Sequence, residues 1–135
     1  MPPRFLDANV LLHYLLRDDE HKGYRAVTLL TRIEQGEERV ATSPMVVFET
    51  VFTLRRSYHV AKARIRDLVL PIIALPGVQL PDKGLYSLAF DIYVDHNVSF
   101  ADAYNAAYLR RRKLSDIYSW DVDFDRLPDV QRVEP

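Results

Sequence analysis

The sequence contains no cysteine, which excludes disulfide scaffolds, thiol catalysis and zinc sites with cysteine ligands. No stretch approaches the roughly 20 consecutive apolar residues that a membrane-spanning helix needs. The N-terminal residues, MPPRFLDANVLL, lack the basic, apolar and small-residue regions of a signal peptide. Repeats, low-complexity segments and long linkers are also absent from the sequence. We therefore expect a cytoplasmic protein that has no membrane partner.

The composition is that of an ordinary globular chain. Of its 135 residues, 48% are hydrophobic and 27% are charged. This length is enough to bury a sizeable core, and the charged fraction is too balanced for a disordered chain. We expect one domain over residues 1–135.

Short apolar runs alternate with longer helical patterns along the chain. Ser43-Pro44 predicts a helix start, and Gly36 predicts a helix end. Asp82 is expected to cap a helix that runs to about Asp95. Strands separated by helices indicate a parallel sheet with helices on both faces, and therefore the α/β class. The predicted strands are 4–7, 39–42, 78–80, 117–119 and 130–133.

Half of the 18 basic residues lie in two short clusters, although the formal net charge is −1. Such clusters can contact the phosphates of a nucleic acid. The cluster at 110–113 also suits a helix C-terminus, where cations interact favourably with the helix dipole. Candidate RNA-backbone contacts come from the other cluster, and they are Arg55, Arg56, Lys62, Arg64 and Arg66.

Several carboxylates stand where parallel α/β folds place their sites. Asp7 follows the first predicted strand and Asp121 the fourth, although both could simply be cap or turn residues. Asp102 lies in the first turn of a helix from Ser99, on the same face as Ala106. We expect its side chain to point inward and the helix N-terminus to favour its ionised form.

Glu49 has a less certain environment. In helical projection it lies beside Met45 and Phe52 but also at the edge of a polar sector near Arg56, so a surface role remains open.

The four acids are more informative together than singly. Four carboxylates in one pocket would repel each other, and a hard divalent ion with oxygen ligands, Mg²⁺ or Mn²⁺, resolves the conflict. Such an ion can activate water and stabilise a leaving alkoxide. An acidic pocket with flanking cations is typical of a site that cleaves phosphodiester bonds.

Four segments, FLDANVLL, SPMVVFE, SFADAYNAA and SWDVDFDRL, resemble in order and spacing the motifs of PIN-domain nucleases. The three acids of DVDFD leave open whether Asp121 or Asp123 is the fourth acid. By this resemblance the catalytic and metal-binding acids are Asp7, Glu49, Asp102 and Asp121, and the supporting residues are Asn9, Ser119 and Asp123.

The resemblance implies a three-layer α/β/α sandwich with a parallel sheet. It also implies a metal-dependent endoribonuclease that leaves 5′-phosphate and 3′-hydroxyl ends on its RNA substrate. The size is similar to that of VapC-type toxins of toxin–antitoxin pairs, which implies a homodimer and a small antitoxin. The alternative is a non-catalytic PIN scaffold that binds RNA or protein.

An antitoxin segment is expected to wrap the helices around 44–75. It would insert an Arg or Lys among the four acids, because a guanidinium pairs well with carboxylates. Val46, Phe52 and Tyr58 are candidate contacts for that segment, and equally candidate core or dimer residues.

Overall fold

The computed structural model describes residues 2–135, and the chain divides into two compact units between Lys83 and Gly84. That the chain is one domain stays a prediction. The elements of the first unit are β1 (Arg4–Phe5), α1 (Ala8–Leu16), α2 (Glu20–Glu34), β2 (Val40–Ala41), α3 (Pro44–Arg56), α4 (Lys62–Ile73) and β3 (Val78–Gln79). After a 3₁₀ turn at Lys83–Leu85 follow α5 (Tyr86–Asp95), α6 (Phe100–Arg111), β4 (Asp116–Tyr118), the 3₁₀ helix Val122–Arg126 and β5 (Gln131–Val133).

Strand pairing is parallel in both units. In the first unit β2 lies between β1 and β3, with Val40 opposite Arg4 on one side and Val78 on the other. In the second unit β4 pairs with β5, and Ile117 lies opposite Arg132. The predicted α/β class with parallel pairing is confirmed. Each strand is two or three residues long, shorter than most of the apolar runs that predicted them.

Local signals explain where several helices begin and end. The Ser43 hydroxyl accepts a hydrogen bond from the Val46 amide, and Pro44 is the first residue of α3, as predicted. Gly36 has a positive φ of 79° just beyond α2, a conformation that glycine adopts at little cost. Among the described residues, no helix is both long enough and apolar enough to cross a membrane.

The predicted cap at Asp82 is wrong. Asp82 adopts a left-handed conformation with φ of 52°, and the chain then forms the 3₁₀ turn before α5 begins at Tyr86. The residue before α5 is Leu85, which has no side-chain cap. Asp82 therefore belongs to the turn that precedes the helix.

Each unit has its own apolar packing. In the first unit, strand residues such as Val40 and Val78 pack with Leu11 of α1 and Ile33 of α2. In the second unit, α5 and α6 pack through aromatic rings, and the Phe90 and Phe100 centroids lie 4.7 Å apart. Small residues of α6 are buried at the same time, which allows the two helices to approach closely.

Candidate functional site

Three carboxylates converge in the second unit. Asp102 lies in the first turn of α6, whereas Asp121 and Asp123 lie at the start of the 3₁₀ helix that follows β4. One carboxylate oxygen from each residue lies within 4.8 Å of the others. Asp102 and Asp123 are half-buried and Asp121 is exposed. We call these three residues the acidic cluster.

Short-range hydrogen bonds hold the cluster residues in place. The Ser99 hydroxyl accepts a hydrogen bond from the Asp102 amide at 3.1 Å, which starts α6 with Asp102 in its first turn. The Ser119 hydroxyl accepts from the Asp121 amide at 2.9 Å. Asp121 in turn accepts from the Asp123 amide at 2.9 Å. The supporting role that the sequence predicts for Ser119 is therefore compatible with its contact.

Two arginines that the sequence analysis did not select also contact this region. Arg126 pairs with the Asp123 carboxylate at 2.8 Å. Arg132 of β5 donates to both oxygens of Asp125, at 3.1 and 3.3 Å, and to the Ser119 carbonyl at 3.2 Å. Because Ser119 holds the Asp121 amide, Arg132 braces the segment that presents the cluster.

The Asp102 carboxyl lies in an unfavourable environment for a negative charge. Burial raises its pKa above the ordinary value, and the carboxylates of Asp121 and Asp123 raise it further, against the lowering effect of a hydrogen bond from Ser99. Desolvation and the like charges therefore determine the direction of the shift, although Asp102 lies in the first turn of a helix, a position that favours the ionised form. The side chain is half-buried, beside the buried Ala106.

Asp7 and Asn9 lie in the first unit. Asp7 is the residue before α1, and its exposed carboxylate makes no capping hydrogen bond to the first amides of that helix. The buried Thr42 hydroxyl donates to the Leu6 carbonyl at 2.9 Å and fixes the chain next to Asp7. No local sequence pattern indicates this role of Thr42, because its partner lies 36 residues away.

Glu49 is exposed on α3, and the side chains of Met45 and Phe52 are also largely exposed. Val46 is buried, so of its candidate roles the core one is correct. The participation of Asp7 and Glu49 in a site with the acidic cluster stays a prediction.

The two basic clusters differ in their contacts. Arg55 donates to the Val60 carbonyl, and Arg66 pairs with Asp67 at 3.2 Å. Burial and the neighbouring Arg55 lower the pKa of the Lys62 amine. In the other cluster, Arg110 pairs with Asp129, and the Arg112 guanidinium lies 3.8 Å from the centroid of the Tyr108 ring. The cluster at the end of α6 is thus largely engaged within its own unit.

The acidic cluster fits a divalent metal ion on chemical grounds. Its donors are carboxylate oxygens, which suit hard cations such as Mg²⁺ and Mn²⁺. The like charges that raise the Asp102 pKa are those a cation would relieve. Among the described residues this is the group of acids close enough together to share one ion.

The family model for the PIN domain matches residues 4–130. The match covers nearly the whole chain, and the protein belongs to the PIN domain family. PIN domains are generally nucleases and typically use divalent metals. A comparison with curated proteins found no match. The chain therefore has a nuclease-type fold with an acidic cluster, which supports a hydrolase at the level of the family.

Proposed function

We propose that this PIN-domain protein is a Mg²⁺- or Mn²⁺-dependent endoribonuclease. The observation that carries the proposal is the approach of three carboxylates to within 4.8 Å of one another in a chain of a nuclease family. The residues that hold the ion would be Asp7, Glu49, Asp102 and Asp121. When bound, the ion supplies Lewis-acid stabilisation of phosphoryl and leaving oxygens and lowers the pKa of water.

The contacts favour Asp121 over Asp123 as the fourth acid. Asp123 already pairs with Arg126, which compensates its charge. Asp121 makes no ion pair among the described residues, and its backbone is held by Ser119. In this proposal Asp102 and Asp121 supply oxygens to the ion, whereas Asp123 orders the turn.

Cleavage of a labelled single-stranded RNA in Mn²⁺ tests the nuclease proposal. We expect Asp102→Asn to lose cleavage while keeping the wild-type circular dichroism spectrum, because the amide removes a charged ligand without changing the side-chain shape. Asp95→Asn, an exposed acid at the end of α5, is the matched control and should stay active. A fully active Asp102→Asn protein would contradict the proposal, and a folded wild type that binds RNA without cleaving it would favour the scaffold alternative.

We further infer that the protein is a VapC-type toxin that forms a homodimer and is restrained by a small antitoxin. The Arg126–Asp123 pair supports the antitoxin part of this inference, because it shows that an acid of the cluster can pair with a guanidinium. The exposed Phe52 and Tyr58 offer apolar contacts for an antitoxin segment along 44–75. Insertion of its Arg or Lys among the acids would neutralise them.

Co-expression with the product of its neighbouring gene tests the toxin inference. We expect the two proteins to co-purify, and RNA cleavage by the complex to be slower than by the free protein at equal Mg²⁺. Expression of the nuclease alone should arrest growth. If the complex cleaves as fast as the free protein, or if expression alone is harmless, the toxin inference fails, whereas the nuclease proposal is judged by Asp102→Asn alone.

A further inference from the structure

The first unit contains a cleft of about 790 Å³ that none of the predicted functional residues except Asn9 lines. Its walls come from β1, α1 and α2, together with Glu38 and Val40 at β2. We call it the β1–α2 groove. Leu6, which directly precedes Asp7, and Asn9, two residues after it, both line the groove, so one of the predicted catalytic acids lies next to it in the chain.

The groove is strongly cationic in a chain whose net charge is −1. Four basic side chains line it against a single carboxylate, that of Glu38, which pairs with Arg32 at 2.7 Å. Arg4 and Arg25 are exposed and make no ion pair or side-chain hydrogen bond among the described residues. Guanidinium groups without partners in a concave surface are suited to phosphate. The basic lining residues are Arg4, Lys22, Arg25 and Arg32.

Two aromatic rings in the same groove face solvent. Phe5 is 60% exposed and Tyr24 is 73% exposed. Burial of a large aromatic side chain is more favourable than burial of most other residues, so two exposed rings in one groove indicate a surface that a ligand covers. Single-stranded nucleic acids are bound by this combination, because cations follow the backbone while bases stack on exposed rings.

We propose that the β1–α2 groove, which lies beside Asp7 in the first unit, binds single-stranded RNA, an inference that rests on the proposed nuclease function for its biological meaning. The cations would contact phosphates, and Phe5 and Tyr24 would stack on bases. Phosphate contacts and stacking tolerate many sequences, so the groove would supply affinity with little sequence choice.

The groove is a better candidate than the basic cluster at 55–66. In that cluster Arg66 pairs with Asp67 and Arg55 donates to a backbone carbonyl. None of the cations of that cluster lines the β1–α2 groove. An acidic peptide would match the cations of the groove, but it would leave the two exposed rings without stacking partners.

Binding can be measured without cleavage. We would titrate a fluorescein-labelled oligouridine of about 12 nucleotides, within the span of single-strand sites, and follow anisotropy in EDTA. The Arg4→Gln/Arg25→Gln double variant should bind at least about tenfold more weakly, because it loses two phosphate contacts. Its plot of log affinity against log salt should be shallower by about 1.4, since each contact with a single strand contributes about 0.7.

A matched control separates the groove from general surface charge. Arg39→Gln removes an exposed arginine of the same unit that does not line the groove, and its affinity should equal that of the wild type. Arg55→Gln/Arg64→Gln tests the other basic cluster and should weaken binding less than the groove variant. Tyr24→Ala should weaken binding about fivefold or more through lost stacking, whereas Tyr24→Phe should retain wild-type affinity.

The outcomes are decisive because binding in EDTA does not depend on catalysis. Weakened RNA binding in the groove variants, with unchanged Arg39→Gln, supports the inference even if no cleavage is ever found. Wild-type affinity in both groove variants overturns it, as does a wild type that binds no RNA. It is also overturned if the groove variants lose a co-purifying protein while their RNA affinity stays unchanged.

Discussion

Asp102 is the residue at which stability and metal binding oppose each other. Its pKa in the folded protein lies above the ordinary value of 3.8, first because of burial and then because of Asp121. The folded state therefore holds the Asp102 proton more tightly than the unfolded state. The unfolding free energy falls as the pH rises from about 3.8 through the raised pKa, and above it the penalty is fully present.

We predict that Asp102→Asn is at least as stable as the wild type at neutral pH in EDTA, because the amide removes the cost of a half-buried charge. The advantage should shrink as the pH falls towards 3.8, where the wild-type carboxyl becomes protonated in both states. Thermal melts at a series of pH values measure this, with Asp95→Asn as the control. A variant that is less stable than the wild type at every pH would contradict the prediction.

For single residues, the sequence predicted the local position of a side chain better than the distant residues that it contacts. The helical face of Asp102 and the turn at Asp121 can be read from neighbouring positions, and the two side chains do meet. Thr42, which holds the chain beside Asp7, contacts a carbonyl 36 residues away. Such a contact depends on which strands pair, so no local pattern contains it.

Among the elements, β5 has a role beyond its pairing with β4. Its Arg132 side chain joins the 3₁₀ helix, through Asp125, to the end of β4, through the Ser119 carbonyl. Only 15% of the Arg132 side chain is exposed, so these donors have little access to water. The hydrogen bonds that Arg132 donates to Asp125 and Glu134 raise the Arg132 pKa above its ordinary value, and the guanidinium stays charged.

We predict that Arg132→Gln weakens Mn²⁺ binding about tenfold, the usual cost of losing a residue that orients metal ligands. Arg132→Lys should recover only part of the affinity, because an ammonium cannot reproduce the planar fork. The only tryptophan, Trp120, adjoins Asp121 and is largely exposed, so its quenching by Mn²⁺ reports the titration.

Arg112→Gln is the control for this titration, because the Arg112 guanidinium packs on Tyr108 in the same unit and contacts none of the three acids among the described residues. Equal Mn²⁺ affinity in wild type and Arg132→Gln would show that β5 does not position the cluster.

Element boundaries were predicted well where the signal is local. Ser43 and Gly36 act through bonds and backbone conformations within a few residues, and both predictions are confirmed. Strand limits depend on pairing partners far along the chain, and for that reason the strands are mostly shorter than predicted. Asp82 is a preferred cap residue, but its left-handed backbone places it in a turn instead.

For the whole molecule, a bound ion should act as a stabiliser. An ion that binds only the folded state adds about 2.7 kcal/mol at a concentration 100-fold above its Kd. In a chain of this length, that corresponds to a rise of about 10 °C in melting temperature. We predict such a rise with Mn²⁺ for the wild type and a smaller one for Asp7→Ala.

This comparison also tests whether Asp7 joins the metal site. Asp95→Ala is the control and should show the wild-type shift. Identical Mn²⁺ shifts in the wild type and Asp7→Ala would mean that Asp7 holds no metal, whatever the result for Asp102→Asn.

The charge of the β1–α2 groove could not be predicted from the sequence. Its cations are spread from Arg4 to Arg32 among several acids, and residues 1–54 together hold 6 basic and 8 acidic residues. A count of charged residues over 1–54 therefore gives a net negative charge and hides the cations of the groove. Only the packing of α2 against α1 gathers the basic side chains along one cleft while leaving most of the acids elsewhere.

The division of the chain between Lys83 and Gly84 affects the order in which its parts can fold during translation. All strand pairings of the first unit, including Val40 with Val78, lie within residues already synthesised when Gly84 is added. Translation of the 52 residues from Gly84 to Pro135 takes about 3–10 s at about 5–20 residues per second. A nascent chain can thus complete its cationic groove seconds before β4 and β5 pair. Since every residue of the acidic cluster is translated in that later interval, the nascent chain has its groove before it has the three carboxylates that would hold a metal ion.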